Sequence, residues 1–340
     1  MRELLERLLK REGLDGETME RCVEALMHGE WSPAQQAAFL VALRAKGETP
    51  AEVAAAARVL RRAALPVLTT RSPVIDTCGT GGDGAHTINI STAAALTAAA
   101  CGVAVAKHGN RSVSSRCGSA DVLEALGVPL ELPPEALGEL LDQCGFAFLF
   151  APRLHPAMRA VMPVRRELGI RTVFNLLGPL ANPAGVRRQV VGVYAPAVQA
   201  LLAGALAELK AEHAWVVHSE DGLDELSVSA PTRVIEVWDG RVLGELIVDP
   251  RALGVAGERE ALLGGDPETN AARLRALLAG EERDTAAANA VALNAAAALL
   301  VGGAVESLEE GVERARQALA GGAPAAVLEA VVKRAGELTG

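Results

Sequence analysis

The amino-acid sequence predicts an α/β protein, with a small N-terminal helical domain followed by a larger α/β domain around a mainly parallel central sheet. Three observations carry that expectation. The first 65 residues hold helix caps and helical apolar spacing, with no strand pattern before Val74. From Pro73 onward, short apolar runs alternate with helical patterns, as βα units require. From Asp266 the chain reads as helix to its end.

The opening helices are punctuated by two capping boxes. Ser32-Pro33-Ala34-Gln35 places a hydroxyl cap, a proline at the first helical position and a glutamine three residues on. Thr49-Pro50-Ala51-Glu52 repeats the device, and that helix should stop near Leu65-Pro66. Strands are expected at Val74-Ile75, Val103-Ala106, Phe146-Ala151, Gln189-Tyr194 and Ala214-His218, with helices between most of them. Arg233-Trp238, Asp239-Gly240 and Arg241-Val248 read as a hairpin with a two-residue turn. The alanine-rich stretch from Ala286 to Leu300 reads as a tightly packed helix.

Composition narrows the function. The net charge of -9 argues against nucleic acid as a partner and requires a local cluster of donors for any anionic substrate. Five cysteines, odd in number and without a C-x-x-C, fit a reduced, cytoplasmic setting. The N-terminus mixes charges with leucines, unlike a signal peptide, and the apolar run from Thr92 to Ala106 is too short for a bilayer.

Four segments carry chemistry. Asp76 to Gly84 holds four glycines and two threonines in nine residues after an expected strand. Such a loop exposes backbone N–H groups to a phosphate, although alone it is equally a surface turn. Thr87-Ile88-Asn89-Ile90-Ser91-Thr92 follows, with Asn89 or Ser91 as a natural helix cap. Free N–H groups and the helix dipole should point out there. The third segment, Lys107 to Arg116, follows a strand. Its Lys, Arg and hydroxyls should therefore lie on the ligand edge of the sheet. Lys107 is one of five lysines in the chain, and Asn89 and Asn110 are two of seven asparagines. Ser119 is the expected cap of the next helix. The fourth segment, Asp221-Gly222-Leu223-Asp224-Glu225-Leu226, sets adjacent carboxylates at another strand end. Magnesium with substrate phosphates would account for them, and a solvated acidic loop is the plainer alternative.

The strings DTCGTGGDG…NIST, KHGNRSVSS…GSADVLEALG, VRRELGIRTVFNLLGPLANP and GLDEL occur in this order between Asp76 and Leu226. Together they resemble the anthranilate phosphoribosyltransferase family. The stretch from Val164 to Pro183 is the most specific. The resemblance implies the nucleoside phosphorylase/phosphoribosyltransferase type of fold. Residues 1–66 would be the helical domain, completed by helices within about 155–185, and 73–340 the phosphoribosyl pyrophosphate-binding domain. It also implies a homodimer that uses magnesium, two ions per subunit, in tryptophan biosynthesis. By resemblance, phosphoribosyl pyrophosphate would meet Gly79, Gly82, Asp83, Thr87, Asn89, Ile90, Ser91 and Thr92. Lys107, His108, Gly109, Asn110, Arg111, Ser112, Val113, Ser114, Ser115 and Ser119 would complete that site. Asp224 and Glu225 would hold magnesium with Ser91, and Gly79, Asn110 and Arg165 would meet anthranilate. Arg165 also has a chemical rationale, because a guanidinium matches a planar carboxylate; its neighbour Arg166 is the alternative. The amine of anthranilate is nucleophilic when neutral, so no residue is assigned as a base, His108 included. Two rivals stay open: a pyrimidine nucleoside phosphorylase, usually longer, and a catalytically silent phosphate-binding relative.

Overall fold

The computed structural model describes residues 1–112, 116–282 and 285–339. Four helices open the chain: α1 (Arg2–Leu9), α2 (Gly16–Met27), α3 (Pro33–Lys46) and α4 (Pro50–Ala63). The capping boxes at Ser32 and Thr49 both form. Glu52 does more than cap α4. Its buried carboxylate accepts from the Leu14 amide and pairs with Lys46, each at 2.8 Å. A buried carboxylate is tolerated only with such partners, and here they tie α4 to the end of α3 and to the loop before α2.

Seven strands form one sheet: β1 (Val74–Gly79), β2 (Ala104–Gly109), β3 (Phe146–Phe150), β4 (Arg188–Gly192), β5 (His213–Ser219), β6 (Thr232–Trp238) and β7 (Arg241–Val248). Their order is β3-β2-β1-β4-β5-β6-β7. The first five are parallel, and β6 and β7 form the expected antiparallel hairpin. Both turn residues, Asp239 and Gly240, have positive φ, which a two-residue turn of this kind needs.

Between and after the strands lie α5 (Ile90–Ala100), α6 (Ser119–Ala125), α7 (Pro134–Cys144), α8 (Ala151–Leu154), α9 (Met162–Leu168), α10 (Phe174–Leu177) and α11 (Pro196–Glu208). Then come α12 (Pro267–Leu278), α13 (Ala286–Gly302), α14 (Leu308–Ala320) and α15 (Ala323–Thr339). Alternation along the strands divides the core. Ile75, Val105, Phe148, Val190, Trp215 and Val217 pack with α5 and α13 on one face. On the other, Val191, Ala214, Val216, Ile235 and Val237 pack with α11 and α4, continuous with the opening helices. Val161, Val164, Val173, Phe174 and Leu177 join that second cluster, so the chain returns to the helical bundle through α9 and α10. The alanines of α13 permit close approach: a Cβ added to Gly311 of α14 would lie 2.9 Å from the Ala296 backbone.

The winding fixes where a ligand can bind. The chain runs outward through β1, β2 and β3, then returns to β4 on the other side of β1. Adjacent loops therefore diverge at the carboxyl ends of β1 and β4, which opens a crevice. Gly79 and Gly192 are the last residues of these strands and are paired with each other. One local expectation is corrected. Gly118, not Ser119, occupies the cap position of α6; Ser119 is its first residue, and its hydroxyl donates to Asn110 O at 3.4 Å.

Candidate active site

Glycine makes the β1–β4 edge possible. A Cβ on Gly192 would overlap the Asp224 carbonyl oxygen, and one on Gly79 would sit 3.1 Å from Gly192 O and 3.4 Å from Asp224 Oδ2. The acidic loop is thus pressed directly onto the strand ends. Asn294 holds it from behind. Its amide accepts from Leu226 N at 3.0 Å and donates to Leu226 O at 2.9 Å, replacing the partner strand that this backbone lacks.

Ser91, Lys107, Asp83, Asp224 and Glu225 converge at this edge. Glu225 accepts from the Ser91 amide at 3.1 Å, and Asp83 accepts from the Asp224 amide at 3.4 Å. Lys107 is buried; its ammonium donates to Thr77 O and to Ser91 Oγ, the latter at 3.2 Å. Burial, then repulsion from Asp83 and Glu225, holds the Asp224 carboxyl well above the usual carboxylate range. Burial pushes Glu225 up to about 7 against the pull of Lys107. Burial also lowers Lys107, opposed by Asp76 and Glu225. Asp224 and Glu225 thus stand side by side near one buried lysine, and a divalent cation would relieve their mutual repulsion. Among the described residues no three His, Cys, Asp or Glu side chains form a complete metal cage. This donor set fits magnesium, which usually keeps waters and takes substrate oxygens.

The start of α5 differs from the expectation of free N–H groups. Asn89 occupies the cap position, but its side chain turns away. It donates to Cys117 O at 3.2 Å and accepts from Asn270 at 3.0 Å. Glu225 takes the Ser91 amide instead, so a carboxylate already rests at the helix N-terminus. Ile90 is buried, and Thr92 is buried with an unpartnered hydroxyl. Thr87 bridges to Leu263, and Ile88 N donates to Leu262 O at 2.8 Å, a support from distant sequence.

The segment after β2 is partly turned from the crevice. The Arg111 guanidinium pairs with Asp121 at 3.1 Å and Glu124 at 2.7 Å, and the Ser112 amide donates to Asp121 at 3.0 Å. Arg111 is therefore engaged with carboxylates where the family resemblance implies a phosphate. Gly109 ends β2 against Ser119 Oγ and the Phe148 ring, and Asn110 Oδ1 accepts from the Arg111 amide at 2.7 Å. Val113, Ser114 and Ser115 lie outside the described residues.

His108 belongs to a closed chain of hydrogen bonds. Its Nδ1 is 3.0 Å from Gly178 O and its Nε2 is 3.2 Å from His155 Nε2. A carbonyl oxygen only accepts, so His108 carries its proton on Nδ1, with Nε2 facing the His155 ring. Burial, aided by the neighbouring ring, lowers His108 to about 3, and burial lowers His155 to about 4. The His108 Nδ1 is engaged by Gly178 O and its Nε2 faces a second buried imidazole.

Arg165 lies on α9, within the segment where a helix was expected. Its guanidinium sits over the Phe174 ring, 5.5 Å from the centroid, and Nη1 is 3.6 Å from Met162 Sδ. Among the described residues it has no carboxylate partner, and burial lowers its pKa. Such a group is suited to an incoming carboxylate. Sequence reasoning missed Arg171, Tyr194, Gly192, Asn182 and Asn294. Only Arg171, Asn182 and their string GIRTVFNLLGPLANP carried a signal. Asn182 donates to Asp76 and to Ala106 O, each at 2.8 Å, and thereby joins β1 and β2 to the returning chain.

Comparison with known proteins follows this geometry closely. Residues 2–64 match the glycosyl transferase family helical bundle domain, and residues 71–325 match the glycosyl transferase family a/b domain. The chain is 51% identical to anthranilate phosphoribosyltransferase of Chloroflexus aggregans over 323 residues, 95% of this chain and 94% of that one. The crystal structure of anthranilate phosphoribosyltransferase from Thermus thermophilus superposes with a TM-score of 0.91 at 50% identity, covering 98% of this chain and 99% of the other. The Saccharomyces cerevisiae enzyme, solved with phosphoribosyl pyrophosphate and magnesium, gives a TM-score of 0.91 at 25% identity, covering 98% and 97%. With half of its residues shared across nearly the whole length of these relatives, the chain belongs to the anthranilate phosphoribosyltransferase family.

Proposed function

We propose that this protein transfers the phosphoribosyl group of phosphoribosyl pyrophosphate to the amine of anthranilate and releases pyrophosphate, a step of tryptophan biosynthesis. The observation that carries the reading is the convergence of Asp83, Asp224, Glu225, Ser91 and Lys107 at the β1–β4 switch point, beside a glycine loop and the start of α5. A phosphorylase reading explains neither the Asp224-Glu225 pair nor the Phe174-Asn175 to Pro183 string, and the polar motifs of a silent relative need not be intact.

The amine nitrogen attacks ribose C1 with its lone pair, the C1–O bond breaks, and the electron pair leaves with pyrophosphate. The transition state at such a carbon has oxocarbenium character, so alignment and leaving-group stabilisation dominate. Asp224, Glu225 and Ser91 would hold magnesium, with two ions per subunit; when bound, magnesium supplies positive charge to the pyrophosphate oxygens. Lys107 balances the carboxylates and orients Ser91 from below, since its ammonium is spent on protein oxygens. The donor contacts proposed are those of the glycine loop and of the segments after Thr87 and Lys107. Arg165, Gly79 and Asn110 serve anthranilate. The attacking amine then loses a proton to solvent or to pyrophosphate, with no protein base.

We take the helical domain to be 1–66 with helices from 155–185, and the donor domain to be 73–340. We propose a homodimer through the opening helices; exposed Leu9 and Val41 support it. All five cysteines are free thiols, which supports a reduced, cytoplasmic setting. No helix of the described residues is long and apolar enough to cross a membrane. Product analysis tests the activity: with both substrates and magnesium, pyrophosphate and the phosphoribosyl adduct of anthranilate should form one to one. Phosphorolysis of a pyrimidine nucleoside, with no adduct, would contradict it.

A further inference from the structure

Arg171 occupies a place that no motif assigned. It lies in the connection between α9 and α10, anchored by its buried neighbour Thr172, whose amide donates to Asn175 Oδ1 at 2.9 Å. From there its side chain crosses to the α/β domain. The guanidinium carbon lies over the Tyr194 ring, 3.5 Å from its centroid, and Nη2 donates to Gly82 O at 2.8 Å. Tyr194 is itself tied to the glycine loop, since its amide donates to Thr80 Oγ1 at 3.2 Å. Among the described residues no carboxylate pairs with Arg171. The fit at Gly82 is close: a Cβ there would stand 2.5 Å from Nη2, and Gly82 has a φ of +84°.

A loop of this composition has many conformations of similar energy. Thr80 is fixed at the end of β4, its N–H donating to Gly192 O at 2.9 Å and its hydroxyl accepting from the Tyr194 amide at 3.2 Å. Beyond Gly81 the tie to the helical side is Arg171. Drawing Gly82 O toward the guanidinium sets the orientation of the Gly82–Asp83 peptide, so the Asp83 N–H points the opposite way. The same peptide delivers Asp83 toward Asp224.

We propose that Arg171 is a positioning residue for the donor site, a strap from the helical domain that keeps loop 79–84 in its binding form. The proposal rests on the reading of that loop as the phosphoribosyl pyrophosphate site. It separates two kinetic effects. A loop that is competent only part of the time raises the apparent dissociation constant by the inverse of the competent fraction, yet saturating donor restores the full rate. Arg171 should therefore govern donor KM and leave kcat nearly alone. A charged hydrogen bond with a cation–π stack supports a rise of about tenfold or more. Lysine keeps the charge but cannot lie over the ring while bonding the carbonyl, so it should not rescue.

The experiment measures Arg171→Ala, Arg171→Lys and Tyr194→Leu by steady-state kinetics, by calorimetry with phosphoribosyl pyrophosphate and magnesium, and by hydrogen exchange of the free enzyme. Expected for Arg171→Ala are a donor KM and dissociation constant raised about tenfold or more and kcat within about threefold. Anthranilate KM should be little changed, and the amides of residues 80–85 should exchange faster. Arg171→Lys should behave like the alanine variant, and Tyr194→Leu should shift donor KM the same way to a smaller extent. Unchanged donor binding and loop exchange in Arg171→Ala would overturn the inference. So would a fall in kcat matched by a lower melting temperature, or full rescue by lysine. Failure of the wild-type protein to bind phosphoribosyl pyrophosphate would instead overturn the reading beneath it.

Discussion

Substituting Gly192 by alanine isolates the packing of the acidic loop from its chemistry. The added Cβ would overlap the Asp224 carbonyl oxygen, with the next contacts at 2.7 Å to Asp224 C and 3.4 Å to its Cβ. The obstacle is backbone, so it cannot rotate aside; the loop itself must lift, by on the order of 1 Å. A displacement of that size at a reacting centre lowers rate by about 100-fold. Overpacking at one edge of the sheet should reduce stability by about 1–3 kcal/mol, leaving the protein folded. Gly79→Ala should be milder, because its Cβ meets Gly192 O at 3.1 Å and a shift of a few tenths suffices. Gly13→Ala, with nothing within 4 Å, is the control. The assay is kcat with a magnesium titration, beside a thermal melt. Gly192→Ala with wild-type kcat and magnesium dependence would refute the claim that the loop is held in register by this contact.

Further outcomes follow from charge and exposure. Arg165→Ala should lower catalytic efficiency toward anthranilate on the order of 10- to 100-fold, leaving donor binding nearly intact. Aniline, lacking the carboxylate, should lose little more on mutation; equal losses for the two acceptors would show that Arg165 acts elsewhere. With Glu225 raised to about 7 and Asp224 raised as well, magnesium must displace protons near neutral pH. Calorimetry in buffers of different ionisation enthalpy should show more proton release at pH 6.5 than at 8.5, with magnesium affinity weakening as pH falls through 7. No release at either pH would contradict the charge assignment. In the free protein, raised carboxyl values give a contribution to stability that is lost as pH rises through about 7; magnesium should restore it. Analytical ultracentrifugation at micromolar concentration should give the mass of a dimer, and a monomer would refute assembly through α1–α4.

Much of the fold was legible because its signals are local. A hydroxyl before proline with Gln35 or Glu52 three residues on, or Asp239-Gly240 between two β-rich runs, specifies geometry within a few residues. Residues whose meaning depends on a distant partner were not legible. Asn294 sits in an alanine-rich helix and reads as packing until Leu226, 68 residues away, comes to lie against it. Gly192 is an ordinary strand glycine until the winding order brings Asp224 onto it. Arg111 reads as a phosphate ligand from its motif, yet Asp121 and Glu124, one helical turn apart on α6, engage it. The expectation of open N–H groups at α5 failed for a related reason, since the group that occupies them is Glu225.

Asp224 and Glu225 at the β1–β4 edge are assigned to magnesium-dependent phosphoribosyl transfer to anthranilate. The most direct test of that assignment follows the loss of anthranilate fluorescence and the release of pyrophosphate together, at saturating phosphoribosyl pyrophosphate, with magnesium and with excess EDTA. Expected are equal rates of loss and release with magnesium, none with EDTA, and a strong reduction in Asp224→Asn and Glu225→Gln without loss of fold. Full turnover in excess EDTA, or pyrophosphate release that does not depend on anthranilate, would contradict it.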